Sequence, residues 1–182
     1  MKTNRDKILC ITRTGILIAL LVTLQWLTAP TSAFAGQFIT GSCVNAVLAV
    51  SVLATGLWSG VAVAIVSPFC AFLLGIGPKL IQIVPAIAMG NLVLVVILHL
   101  IAGRDAAFWK SMLGVIVAAS AKFGALYLLV VKLVIPVMGD SLAEKQVATF
   151  TAMFSWPQLV TALIGGTVAA IIVPVIRKAL RK

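Results

Sequence analysis

Acidic side chains are nearly missing: Asp and Glu number 4 in 182 residues, and histidine occurs once, as His99. None of the four acids falls inside a long apolar run, so an intramembrane aspartyl protease or a carboxylate proton relay lacks its parts. The HExxH, GxSxG, Walker A and CxxC patterns are missing too. His99, near one end of an apolar run, reads as a packed or interface-facing imidazole rather than a catalytic one. The three cysteines, Cys10, Cys43 and Cys70, are odd in number and unpatterned, which argues against a disulfide framework and a thiolate metal site. They read as small apolar packers. The expectation is a protein that is not an enzyme and holds no cofactor or metal.

What is present is apolar. Hydrophobic residues make up 62% of the chain and charged ones 10%, against roughly 45–50% and about 25% in soluble domains. Mean hydropathy is +1.20. Six runs approach the length of about 20 residues that a bilayer requires. They are Thr14–Ala29, Phe38–Ala54, Leu57–Leu74, Ile81–Ala102, Ser111–Pro136 and Trp156–Ile176. The runs do not alternate as barrel strands would, so the fold class is all-α, a single bundle of six transmembrane helices over residues 1–182. Gly75-Ile76-Gly77-Pro78 closes the third run and Gly103-Arg104-Asp105 the fourth, and Pro85 sits where a missing N–H costs least.

The net charge of +10 has no basic stripe interleaved with aromatics, so nucleic acid is not the expected partner. The bases flank the apolar runs instead. With the N-terminus inside, Lys2, Arg5, Lys7, Arg13, Arg104, Lys110, Arg177, Lys178, Arg181 and Lys182 are cytoplasmic, against Lys79 and Lys145 outside. That bias predicts both termini inside. Asp140 and Glu144 fall in the longest polar outer stretch, Val137–Ser155, expected as a loop. The basic start, the run Gly15–Ala29 and Ala33-Phe34-Ala35 before Gly36 also fit a signal peptide. Retention as the first span is the preferred reading.

Two lysines lie in the fifth run. At about 1.5 Å per residue from Ser111, Lys122 is about 16 Å along the helix and Lys132 about 31 Å. Lys132 can snorkel to the outer surface, whereas Lys122 is near mid-bilayer, where an ammonium costs at least about 2.5–3.5 kcal/mol. With no carboxylate in any span, Lys122 is left with backbone carbonyls, water, deprotonation or an anionic ligand. Asn45 and Asn91 lie within spans, and Gln37 and Gln158 near outer ends. Each amide serves either as glue between helices or as a ligand contact. With Trp156, which also suits an interfacial belt, they outline a polar pocket with an aromatic wall in the outer half. Gly15, Ala19 and Thr23 repeat every four residues, a small-residue stripe for packing inside the bundle or against another subunit.

The six spans, the stripe at Gly15 and Ala19, Gly41-Ser42-Cys43-Val44-Asn45, Gly56-Leu57-Trp58-Ser59-Gly60, Pro85-Ala86-Ile87-Ala88-Met89-Gly90-Asn91 and Trp156-Pro157-Gln158-Leu159 with Gly165-Gly166 carry a resemblance. The chain resembles the substrate-binding S component of an energy-coupling factor transporter. The resemblance implies a multi-pass protein of a prokaryotic plasma membrane that captures a vitamin or related micronutrient from outside. It implies a transmembrane coupling subunit and two cytoplasmic ATPases as partners, and toppling in the membrane to release substrate. An Ala-xxx-Ala pattern on the first helix contacts the coupling subunit in that family, and Gly15 stands here in place of the first alanine. A self-contained small permease and a membrane scaffold are the alternatives; no inverted repeat supports the first. The lysines lean toward an anionic substrate.

Overall fold

The computed structural model describes residues 4–28, 33–78, 80–103 and 106–180, the side chains of 33–35, 140 and 180 apart. Eight helices follow in order: Asn4–Thr28 (α1), Ala33–Val50 (α2), Leu57–Leu73 (α3), Val84–Ala102 (α4), Phe108–Leu126 (α5), Ile135–Met138 (α6), Glu144–Met153 (α7) and Trp156–Leu180 (α8). No strand occurs among the described residues. Among the described residues five helical stretches are long and apolar enough to cross a membrane, and Leu57–Leu73 is a shorter apolar helix. At 17 residues it spans about 26 Å, the lower edge for a bilayer crossing.

The core is built from small and branched side chains that let helices approach. Leu21, Leu48, Val52, Val63, Val95 and Ala119 are fully buried in one cluster shared by α1 to α5. Lipid tails are as apolar as leucine, so close packing rather than water exclusion favours these contacts. The nearest approach is between α2 and α8, where Gly165 faces the Ser42 carbonyl and the Ala46 backbone nitrogen. A Cβ on Gly165 would sit 2.6 Å from that nitrogen, so only glycine fits. Leu21 sits in this core with Leu17, Ile18 and Leu24 around it, which makes α1 an integral helix of the bundle. The small-residue site at 33–35 lies among side chains outside the described set.

Two helices are locally underwound. After Val50 the chain widens into π-type winding over Ser51–Thr55, where Ser51 Oγ donates to the Leu48 carbonyl and Thr55 Oγ1 to the Ser51 carbonyl. Gly56 then breaks the helix at φ 112° and ψ 176°, a region only glycine enters readily. α5 likewise continues as a π segment, Tyr127–Val134, into α6. At the Gly56 end of the bundle Arg177 of α8 donates to the Leu53 carbonyl at 2.8 Å and the Gly103 carbonyl at 3.4 Å, tying the end of α8 to the chain following α2 and α4.

Several boundaries differ from the sequence reading. α1 begins at Asn4 rather than near Thr14, so its basic first turns are helical, and α8 runs on to Leu180. The expected outer loop Val137–Ser155 is largely helical, because Leu142, Phe150 and Phe154 bury against Ile83, Ala86, Leu126 and Val130. Gln146 Oε1 accepts the Ala143 N–H at 3.1 Å and starts α7. Pro85 does occupy the first turn of α4, and Gly103 ends it. Arg104, Asp105, Lys79 and the first three and last two residues lie outside the described set.

Candidate functional site

A cavity of about 270 Å³ lies at the end of the bundle opposite Arg177. The ends of α1 and α7, the starts of α2, α4 and α8 and the α3–α4 connection all meet there, through Thr28, Met153, Gly36, Ile87, Gln158 and Gly77 respectively. Its polar floor comes from three helices. Lys122 Nζ of α5 donates to Asn45 Oδ1 of α2 at 2.6 Å and to Asn91 Oδ1 of α4 at 2.7 Å. All three are 3% exposed or less. Asn45 cannot turn its oxygen away, because its Nδ2 donates to the Gly41 carbonyl at 2.8 Å and to Thr161 Oγ1 at 3.3 Å. The close α2–α8 approach at Gly165 thus positions the amide that positions the lysine.

An ammonium has three N–H groups, and two are used here. The third is what the floor can offer to a molecule in the cavity. No carboxylate lines the cavity among the described residues, so the charge of Lys122 meets amide dipoles only. The roof is α7. Gln37 Nε2 of α2 and Gln158 Nε2 of α8 both donate to the Met153 carbonyl, at 2.7 and 3.0 Å, and fasten the last turn of α7 over the opening. The wall toward α1 holds Thr28, whose hydroxyl is 2.6 Å from that of Thr40.

The chain matches the family described as ECF transporter, substrate-specific component, over residues 10–177. It belongs to that family. As an energy-coupling factor substrate-specific component it is a membrane substrate-binding subunit of a transport system. No curated protein and no solved structure matches it.

Of the seven residues expected at the S component's site, Lys122, Asn91, Asn45, Gln37 and Gln158 line one cavity. Lys132 and Trp156 are not in its lining. Lys132 is exposed, its ammonium 5.6 Å from the Tyr127 ring centroid, since the π winding after Leu126 carries it to another face. Trp156 is 54% exposed and packs on Phe38 with ring centroids 5.6 Å apart. The four tryptophans fall at two levels, Trp26 and Trp156 at the cavity end, Trp58 and Trp109 at the Arg177 end, all exposed. Such pairs are how aromatic belts meet the two membrane surfaces.

Gly15, Ala19 and Thr23 are exposed, and nothing lies within 4 Å of a Cβ added to Gly15. The stripe is therefore not consumed by packing inside this chain. Gln25, Met153 and Phe154 line the cavity without having been singled out in the sequence. For Phe154 the spacing with Val147 and Phe150 was a usable helical signal. For Gln25, a polar side chain in an apolar span, polarity was the only signal.

Proposed function

We propose that this S component captures a small anionic vitamin or related micronutrient from outside the cell and delivers it with a separate transmembrane coupling subunit and two ATPases. One observation carries the reading: a buried ammonium, held by two amide oxygens and without a carboxylate among the described residues, on the floor of a roofed cavity. A bound carboxylate or phosphate offsets the cost of that charge in a water-excluded pocket. The volume of about 270 Å³ lies just below the usual range of about 300–1,000 Å³ for drug-sized ligands, which suits a small metabolite.

A binding subunit is favoured over a self-contained channel by what lies beneath the floor. Continuing along α2, α4 and α5 toward the Arg177 end, Leu48, Val52, Leu53, Val95, Leu98, Ala118 and Ala119 are buried and mutually packed. Passage through that core needs rearrangement, which fits delivery driven by ATP hydrolysis on partners. The exposed stripe at Gly15, Ala19 and Thr23 is the face assigned to the coupling subunit, because small side chains allow close helix approach. The cavity end is assigned to the outside and both termini to the cytoplasm, in a prokaryotic plasma membrane crossed six times.

Native mass spectrometry of the detergent-purified chain tests the reading. A co-purified anion of a few hundred daltons, absent from Lys122→Met prepared in parallel, is expected. A molecule retained equally by both proteins would refute the assignment of Lys122.

A further inference from the structure

Beside the main cavity lies a second of about 70 Å³, between α3 and the start of α4, lined by Ser67, Ala71 and Phe72 on one side and Val84 on the other. Gln25 and Asn91 line both spaces, so the two adjoin at the residue that holds Lys122. A water needs about 10–15 Å³ of such free space, so the side compartment has room for several heavy atoms. Its wall is mainly apolar, which disfavours a row of waters and favours carbon.

At the junction stands Gln25. Its Oε1 is buried and has no hydrogen-bond partner among the described residues. A buried acceptor left unpaired is costly, and an explanation is owed wherever one occurs. The last torsion of a glutamine is broad, so the amide turns toward either compartment at little cost. The floor also limits charge. Lys122 is one positive charge with one N–H left over, which matches a carboxylate, whereas a phosphate carries about −1.5 to −2 and would remain undercompensated.

We propose that the substrate is a bipartite carboxylate: its carboxyl group meets Lys122, a compact apolar arm enters the side compartment, and an O–H or N–H donor close to the junction is read by Gln25. This rests on the cavity being the substrate site, and it adds the substrate class and a specificity-determining residue. Ala71 lines only the side compartment, so it separates the two ideas.

The test uses the full chain in detergent, with acetate, butyrate, hexanoate and 2-hydroxyhexanoate as probes and dissociation constants from ligand-observed NMR. Affinity should rise about fourfold per added methylene until the compartment fills, and the 2-hydroxyl should add about two- to tenfold. Ala71→Leu should abolish the gain with chain length while acetate binds unchanged; Ala71→Val should remove part of it. Gln25→Leu should abolish the hydroxyl gain, so that hexanoate and 2-hydroxyhexanoate bind the variant with equal affinity. Acetate binding in each variant reports an intact floor. Affinity flat in chain length, or gains that survive Ala71→Leu or Gln25→Leu, would overturn the bipartite substrate alone. Carboxylate binding that is absent, or that persists throughout in Lys122→Met, would overturn the site reading and this inference with it.

Discussion

Replacing Lys122 by methionine separates a ligand role from a structural one. The side chains are similar in length, so the floor keeps its filling and loses its charge. Two effects on the empty protein oppose each other. Removing a buried ammonium relieves at least about 2.5–3.5 kcal/mol on insertion scales. Against this, Asn45 Oδ1 and Asn91 Oδ1 lose their donor, at about 1–3 kcal/mol for each oxygen that water in the cavity does not reach. The sums nearly cancel. At about 2–4 °C per kcal/mol for a chain of this size, the melting temperature of the empty variant should move by only a few degrees. Binding has no such compensation. A charge-assisted hydrogen bond is worth about 1.5–3 kcal/mol, so affinity should fall roughly ten- to more than a hundredfold. Calorimetric titration with the co-purified molecule, beside scanning fluorimetry of the empty protein, gives both numbers. Lys132→Met is the control, because that ammonium is exposed over Tyr127, and its affinity should equal the wild type. Unchanged affinity in a folded Lys122→Met protein would return the residue to a structural role and remove the anion from the argument.

The roof gives a kinetic expectation: Gln37→Ala and Gln158→Ala each remove one hydrogen bond to the Met153 carbonyl, so stopped-flow dissociation should quicken about two- to tenfold for each. Dissociation rates equal to wild type would show that α7 is not what retains the ligand. Gly165→Ala should prevent folding, since the added carbon meets the backbone of Ser42 and Ala46; a monodisperse variant melting at the wild-type temperature would contradict the α2–α8 packing. In a background with Cys10, Cys43 and Cys70 replaced, Glu144→Cys should react in intact cells with an impermeant maleimide and Lys178→Cys should not, and the opposite pattern would invert the topology. Ala19→Trp should abolish co-purification of the coupling subunit while leaving substrate affinity within about twofold, because its side chain points away from the cavity; full co-purification would clear the stripe of that role.

Depth was legible in the sequence, and face was not. Apolar runs and the Gly and Pro residues around them located the helices, as Pro85 and Gly103 show at the two ends of α4. The same runs located Gln37, Gln158 and Trp156 near the ends of their helices that meet at the cavity end of the bundle. Yet a helix surrounded by lipid and by other helices is apolar on every side, so the hydrophobic pattern does not choose which face a polar residue occupies. Trp156 and Gln158 therefore looked equivalent, and only the second lines the cavity. The trio at the floor was illegible for a related reason. Asn45 and Asn91 are 77 and 31 residues from Lys122, and their meeting depends on helix contacts that no local pattern encodes. α7 was missed because half of its ten residues are polar, which reads as a loop, although Val147, Phe150 and Phe154 already share a helical face.

The arrangement of α1 bears on how docking and binding communicate. This helix of 25 residues carries Gln25 and Thr28 at the cavity and Gly15, Ala19 and Thr23 on its open side. Only Leu21 of its residues is fully buried in the core, so it is held more lightly than α4, where nine residues are buried. A partner seated on the stripe and a ligand beside Gln25 therefore bear on the same lightly held rod. Any shift of α1 that one of them favours is also felt by the other. Linkage requires the effect to be reciprocal: if docking changes substrate affinity by some factor, substrate changes docking by the same factor. In a chain whose floor is fixed by a network across α2, α4, α5 and α8, and one of whose walls is the lightly held α1, a subunit docked on the proposed stripe would reach the site through that helix.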